Sequence, residues 1–500
     1  MGYFMGIDVG TSSVKSLIMD ENGRVIGSAQ RHYDVLRPYY NYSEQRTEDL
    51  WEGAKATLQE LSARYPEVIA NLSGISYSGQ MHGLILLDAQ GQPLRNLIIW
   101  DDQRSYGETQ EILGLVPPKE FNLITLNTLS TGYLISSLLW VKNHEPEQYE
   151  KAVVLLLPKD YIRYRMCGSY GTDMSDASST VIFDTAKRAW AWSIIDRLQL
   201  RRDLFPACHE SYEVAGVVTE QCARETGLRA GTPISYGGGD TLMHEVGTGM
   251  IAEDRPWVAN IGTSCQVSCA MNRPLHHTEF CTNTFCHVKE DLWMLMSCNL
   301  CGGAAMKWMM RNIAELGSFE EMNGLAQRIP VGSGGLLFLP YLSGGRSPDN
   351  DPRARALFFG LNLSHTKAHM VRSTMEGVVY SLKQNMNILK SVAGREPEVM
   401  IASGGGARGQ IFRQMEADAF NKPIRTTVEA EQSCIGAAIT AAISVGYFRD
   451  YAEACAQIVR FHQEVTVPIP ENVAVYEEYF GIYRELYQRN KDLFWRYPIA

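Results

Sequence analysis

Apolar and polar residues alternate with a period of two across the first thirty positions. YFMGIDVG, SVKSLIMD and ENGRVIGSAQRHY read as strand, tight turn, strand, Asn-Gly turn, strand, which predicts a three-stranded meander. Near the middle of the chain WVANIGTSCQVSCAMN repeats the scheme of apolar strand, Gly-Thr-Ser turn and second strand, and FCHVKEDLWMLMS follows as a further hairpin. Helical periods lie between and after these segments. One runs over 47–63 and opens on Thr47, Glu48 and Asp49 in capping position, a second runs over 366–389, and a third, rich in alanine, over 431–445. From 472 to 492, Val475, Tyr476, Tyr479, Phe480, Tyr483, Leu486 and Tyr487 recur three and four residues apart, predicting one amphipathic helix packed on the second half. Strands and helices alternate, so the class is α/β, and the paired meanders imply two halves built alike. The boundary is expected near Gly247, Thr248 and Gly249, giving domains of residues 1–246 and 247–500 with a binding cleft between them.

Composition narrows the function. A chain of 500 residues, 45% hydrophobic and 20% charged, has the balance of a soluble enzyme with more than one core. Its net charge is −10 and it has no lysine or arginine run, so affinity for a phosphate backbone has no electrostatic source and nucleic acid is not an expected partner. No apolar stretch approaches the roughly 20 residues that cross a bilayer, and the opening reads as a strand rather than a leader, so no membrane partner and a cytoplasmic location are expected. Eleven cysteines, an odd count without a secretory signal, suit reduced thiols. Cys298 and Cys301 have the spacing of half a zinc site, but no second half is evident, and small buried hydrophobes are the simpler reading.

The candidate chemistry sits at turns. Asp8, Gly10, Thr11 and Ser12 place a carboxylate, backbone N–H groups and two hydroxyls at one hairpin, which suits a phosphate with bound Mg²⁺ but also occurs in ordinary hairpins. Gly262, Thr263 and Ser264 form the equivalent turn of the second meander, without the acid. Gly404, Gly405 and Gly406 follow an apolar strand and precede a helix, where a flat ring or a phosphate can approach the backbone. The phosphate loop with its Gly-Lys-Ser/Thr ending is absent, as is an early dinucleotide fingerprint. Asp240 ends the strand-like YGGGD, where a carboxylate can accept a hydroxyl proton or cap a helix. Gln80, Met81 and His82 lie in a turn at a sheet edge, and an imidazole there can bond a sugar hydroxyl or be a satisfied turn residue. Trp100 and Asp102 offer an aromatic face and a carboxylate to a polyol, or a loop ion pair with Arg104.

Taken together, these residues resemble the FGGY carbohydrate kinases nearly end to end. The phrases that carry the likeness are GIDVGTSSVK, SGQMHGLILLD, LLPKDYIRYRMCG, TDMSDASST, GGGD, IGTS, FLPYLSGGRSPDNDPRARALFFGL and SGGGAR, and Gln-Met-His-Gly points within the family to the xylulose kinases. The resemblance implies two ribonuclease-H-like domains of the actin and sugar-kinase type around a central cleft. It implies ATP and Mg²⁺ as cofactors and a small sugar as substrate, with transfer to a primary hydroxyl of a ketopentose, D-xylulose first. It implies that Asp240 is the catalytic base, that Asp8 organises the metal and the transferring group, and that both carboxylates stand near Mg²⁺. Gln80, Met81, His82, Asp102 and Thr241 become sugar contacts, and Thr11, Ser12, Gly262, Thr263, Gly404, Gly405 and Gly406 become ATP contacts. A homodimer is the family's habit. Three positions depart from the pattern: Thr241 replaces an Asn, Ser136 and Ser137 replace Pro-Lys, and Gly345 replaces a Glu. L-Xylulose, ribulose and a pentitol therefore stay open as acceptors. A non-catalytic actin-like nucleotide binder is the alternative from another class, and retention of both Asp8 and Asp240 speaks against it.

Overall fold

The alternation of the first thirty residues folds as expected. The structure, a computed structural model, describes residues 2–497. Strands β1 (Tyr3–Val9), β2 (Ser13–Asp20) and β3 (Val25–His32) form the antiparallel meander, and β4 (Leu72–Gly79) pairs parallel with β1. Strands β5 (Val214–Val217) and β6 (Pro233–Ser235) extend the sheet beyond β4, and the two-residue β7 (Gly238–Gly239) joins the carboxyl end of β4. The second sheet is built from β8 (Trp257–Ile261), β9 (Cys265–Met271), β10 (Asn283–Cys286), β11 (Trp293–Asn299), β12 (Met400–Gly404) and β13 (Ile424–Arg425), in the order β10-β11-β9-β8-β12-β13. Here β8, β9 and β11 repeat the meander, and β12 lies parallel to β8 as β4 lies to β1. The echo in the sequence is thus an echo in topology.

Eight helices position the site: α1 (Thr47–Arg64), α2 (Pro158–Cys167), α3 (Met174–Ser179), α4 (Asp240–Thr248), α5 (Lys367–Ala393), α6 (Gln410–Phe420), α7 (Gln432–Ser444) and α8 (Pro470–Arg496). The start of α1 differs in detail from expectation. Arg46 holds the cap position with no side-chain cap, Thr47 is already helical, and Glu48 and Asp49 complement the helix dipole instead. Thr366 caps α5 in a capping box with His369. On α8, Tyr476, Phe480, Tyr483, Leu486 and Tyr487 are buried in one cluster with residues of the second sheet, as their spacing predicts. All eleven cysteines are free, and Cys298 and Cys301 are buried in apolar clusters. No helix among the described residues is long and apolar enough to cross a membrane.

Every strand of the first sheet precedes residue 247 and every strand of the second follows it, but α7 crosses over. It comes from the second half and lies on the first sheet and on α4. An ideal Cβ at Gly6 would fall 2.0 Å from the Cys434 carbonyl oxygen, one at Gly247 2.1 Å from that of Gln432, and one at Gly436 1.9 Å from that of Met243. Backbone meets backbone at these points, and glycine alone permits it.

Candidate active site

Strand register gathers the acidic pair. Asp8 stands opposite Ser78 across β1 and β4, and Ser78 stands opposite Gly238 across β4 and β7. Two residues further on, Asp240 opens α4 with Gly239 at the cap position, so it is both beyond a strand's carboxyl end and at a helix start. Gly237 makes this turn at φ +77, where a Cβ would lie 2.5 Å from the Tyr77 carbonyl oxygen. Burial and then the neighbouring Asp8 charge push the Asp240 carboxyl up to about 7. Burial also raises Asp8, against the Ser78 hydroxyl, which donates to its Oδ1 at 2.6 Å, and against the Lys15 charge. The Thr241 hydroxyl donates to Asp240 Oδ1 at 3.2 Å. The residue that departs from the family pattern thus bonds Asp240 directly. Burial disfavours the charged form of both carboxyls, and the Asp8 charge disfavours it further at Asp240, a penalty that a divalent cation with phosphate oxygens and water as its other ligands would offset.

The turn between β1 and β2 is braced from below. Gln45 Nε2 donates to the Thr11 carbonyl at 2.6 Å, Gln80 Nε2 donates to Gln45 Oε1 at 2.8 Å, and Trp100 Nε1 donates to Thr11 Oγ1 at 2.9 Å. Ser12 is exposed, as are Gly262 and Thr263 at the equivalent turn between β8 and β9. Gly404 has φ +76, and a Cβ there would lie 2.4 Å from the Ile261 carbonyl oxygen. Gly404 and Gly405 line a cleft of about 490 Å³ together with Arg408, Thr427, Glu431 and Gln432, while Gly406 packs on Ile261. Glu431 also pairs with Lys15 at 2.5 Å, so the cleft wall and the acidic pair share one ion pair.

His82 has φ +73 and its Nδ1 lies 2.7 Å from the Ser179 carbonyl oxygen. A carbonyl accepts, so Nδ1 carries the proton and Nε2 is an acceptor. Burial holds the ring down to about 4, hence neutral, and its edge meets the Tyr133 ring at 4.7 Å. Met81 is buried beneath Gly239. Two predicted sugar contacts are committed elsewhere. Gln80 is 1% exposed and braces the turn between β1 and β2 through Gln45, and Asp102 is spent on Arg104 and the Ser43 amide. Both oxygens of Asp102 already accept more than one bond, and Arg104 also pairs with Glu44 at 2.7 Å. The loop reading of this pair is therefore the better one, except that the pair is buried. Sequence reasoning passed over Ser78, Lys15, Tyr133 and Arg346. Ser78 and Lys15 lie inside recognised phrases without a role of their own, whereas Tyr133 and Arg346 meet only in three dimensions, with Arg346 Nη2 donating to Tyr133 Oη at 3.1 Å.

The N-terminal domain model of the FGGY family of carbohydrate kinases matches residues 3–247, and the C-terminal domain model matches 257–445. The chain belongs to the FGGY family of carbohydrate kinases. This kinase is 33% identical over 495 residues to the xylulose kinase of Bacillus subtilis, covering 99% of this chain and 98% of that one. The ligand-bound xylulose kinase of Lactobacillus acidophilus superposes with a TM-score of 0.92 at 25% identity over the whole of both chains. The gluconate kinase of the same organism gives 0.90 at 26% identity over 98% of each. The fold does not choose between these sugars.

Helix α4 of this FGGY kinase links the two sides of the cleft. His244 Nε2 lies 2.5 Å from Ser403 Oγ, next to the glycine turn. Glu245 is fully buried, accepts from Ser268 Oγ on one oxygen and has no partner on the other, and burial pushes it up to about 8. The folded state thus keeps a proton that the unfolded chain loses near the ordinary value of about 4.3, and stability falls as pH rises through the window from there to about 8. Glu245→Gln is expected to gain melting temperature over the parent between pH 5 and pH 8. Parallel melting curves for the two proteins across that range would show the carboxyl to be ionised if the gap stayed constant.

Proposed function

We propose that this kinase transfers the γ-phosphoryl group of ATP to a primary hydroxyl of a ketopentose, converting D-xylulose to D-xylulose 5-phosphate. The observation that carries the reading is Asp240, held near neutrality at the start of α4 by burial and the Asp8 charge, with Met81 packed against the Gly239 that precedes it. Asp240 takes the proton of the attacking hydroxyl, so its oxygen gains nucleophilicity as it meets the phosphorus. His82 accepts a sugar hydroxyl at Nε2 and, with Met81, orients the acceptor. Backbone N–H groups of the paired Gly-Thr-Ser turns hold phosphate oxygens, and the cleft at Gly404 and Gly405 takes the nucleoside. Mg²⁺, held by Asp8 and Asp240 with phosphate oxygens, would neutralise charge on the transferring group. Closure of the two halves excludes water and limits wasteful hydrolysis.

One feature supports a second acceptor. Arg346, whose charge reaches His82, pairs with no carboxylate among the described residues, and Gly345 stands where the family pattern has a Glu. An aldonate would bring the missing anion. ADP release with Mg²⁺ and ATP should be stimulated by D-xylulose above L-xylulose, ribulose, a pentitol and D-gluconate. Stimulation by D-gluconate alone would assign Arg346 to a carboxylate and reject the ketopentose, and ATP binding without sugar-dependent ADP release would favour a non-catalytic nucleotide binder.

A further inference from the structure

We propose that α3, a six-residue helix, is the platform that sets the base and the sugar-facing imidazole relative to one another. The inference rests on the roles given above to Asp240 and His82. Three serines of α3 meet three separate segments of the chain. Ser175 Oγ accepts from the Gly239 amide at 3.1 Å, one residue before Asp240. Ser179 receives both ends of His82, its hydroxyl accepting from the backbone amide at 3.3 Å and its carbonyl facing Nδ1 at 2.7 Å. Ser178 Oγ accepts from the Cys286 amide at 3.0 Å, on strand β10 of the second sheet. Helical spacing of three and four residues puts these contacts within a single turn.

The platform has an ionic foot. Asp173 caps α3, accepting from the amides of Ser175 and Asp176, from Ser175 Oγ at 2.5 Å and from Ser211 Oγ at 2.8 Å. Its other oxygen lies 3.0 Å from Lys159 Nζ on α2, which also lies 2.7 Å from Asp160 and 3.4 Å from Asp176. Asp176 in turn accepts from Ser179 Oγ at 3.0 Å, and Arg163 pairs with Asp160 at 3.3 Å. All five charged side chains are fully buried. Breaking such a cluster is costly, and what it fixes is orientation rather than net stability. The chain of contacts runs from Lys159 through Asp173 and Ser175 to Gly239, and from Lys159 through Asp176 and Ser179 to His82. Ser175 and Ser179 are therefore positioning residues, each acting on one partner.

The two serines should separate in kinetics. Ser175→Ala leaves the Gly239 amide without its acceptor and loosens the start of α4, lowering kcat by about 10- to 100-fold with sugar KM within about twofold. Ser179→Ala frees the His82 backbone and raises sugar KM about tenfold with kcat within about threefold. Ser175→Cys keeps the shape with a weaker acceptor and should fall between parent and Ser175→Ala. Amide exchange at Gly239, read by mass spectrometry on the free enzyme, should speed up in Ser175→Ala and needs no substrate. Asp240→Asn is measured beside them. If that variant keeps its turnover, the role of the base fails. If it loses turnover while the serine variants move kcat and KM in equal proportion, match the parent, or leave Gly239 exchange unchanged, the platform fails and the base stands.

Discussion

Asp240→Asn is expected to lower kcat by about 10²- to 10⁴-fold while leaving sugar affinity within about threefold. The amide keeps the shape of the side chain and can still meet the Thr241 hydroxyl at its oxygen, so the acceptor site persists. It cannot take a proton, and no other group in the site replaces it. His82 is neutral with Nδ1 turned to the Ser179 carbonyl, and in the proposed function its other nitrogen is taken by the sugar, while Asp8 is tied to Ser78 on a different strand. The same substitution removes a carboxylate that burial and Asp8 hold at about 7, far above its usual range. Ionising that group in the folded state lowers stability as pH rises from the ordinary carboxylate value to about 7. The Asn variant should therefore melt above the parent at pH 8 while being nearly inactive, the pattern of a residue kept for chemistry at a cost in stability. Turnover close to the parent's would remove Asp240 as the base.

Gly436→Ala is expected to destabilise by at least about 3 kcal/mol, where an Ala in a free helix interior gains about 1 kcal/mol. The added methyl would lie 1.9 Å from the Met243 carbonyl oxygen and 3.2 Å from the Gly247 amide nitrogen. Both are main-chain atoms of α4, so no rotamer relieves the contact and the helices must part. Gly481→Ala on α8 is the matched control, since a Cβ there meets nothing within 4 Å. Because α4 begins with Asp240, the first variant should lose activity in excess of its loss of folded protein. Denaturation and ADP release on both variants decide the matter, and a Gly436→Ala protein as stable as the control would show that α7 does not press on α4.

Much of this was legible because it is local. Period-two alternation placed both meanders, helical spacing placed α1, α5, α7 and α8 to within a few residues, and turn residues marked the acids and glycines. What escaped depends on distant partners. Asp102 reads as a carboxylate beside a tryptophan, and its burial against Arg104, Ser43 and Glu44 is set by a loop far upstream. The alanine content of α7 announces a helix but not the sheet it covers, which is fixed by glycines at 6 and 436 meeting carbonyls of other elements. TDMSDASST enters the sequence reading only as a phrase of the family likeness, because the partners of its serines, Gly239, His82 and Cys286, lie far off along the chain.

The crossing of α7 has a consequence for biosynthesis. Gly6 and Gly74 on the first sheet receive the backbone of Cys434 and Ala441, so the face of the earliest strands is covered by one of the last helices to be made. At ordinary translation rates the amino-terminal half waits on the order of half a minute with that apolar face open. A nascent chain stalled before residue 432 exposes Phe4, Leu17 and Met19, which the finished protein buries beside Cys434 and Ala438. The order in which its elements leave the ribosome thus leaves the first sheet uncovered until that late helix has been made.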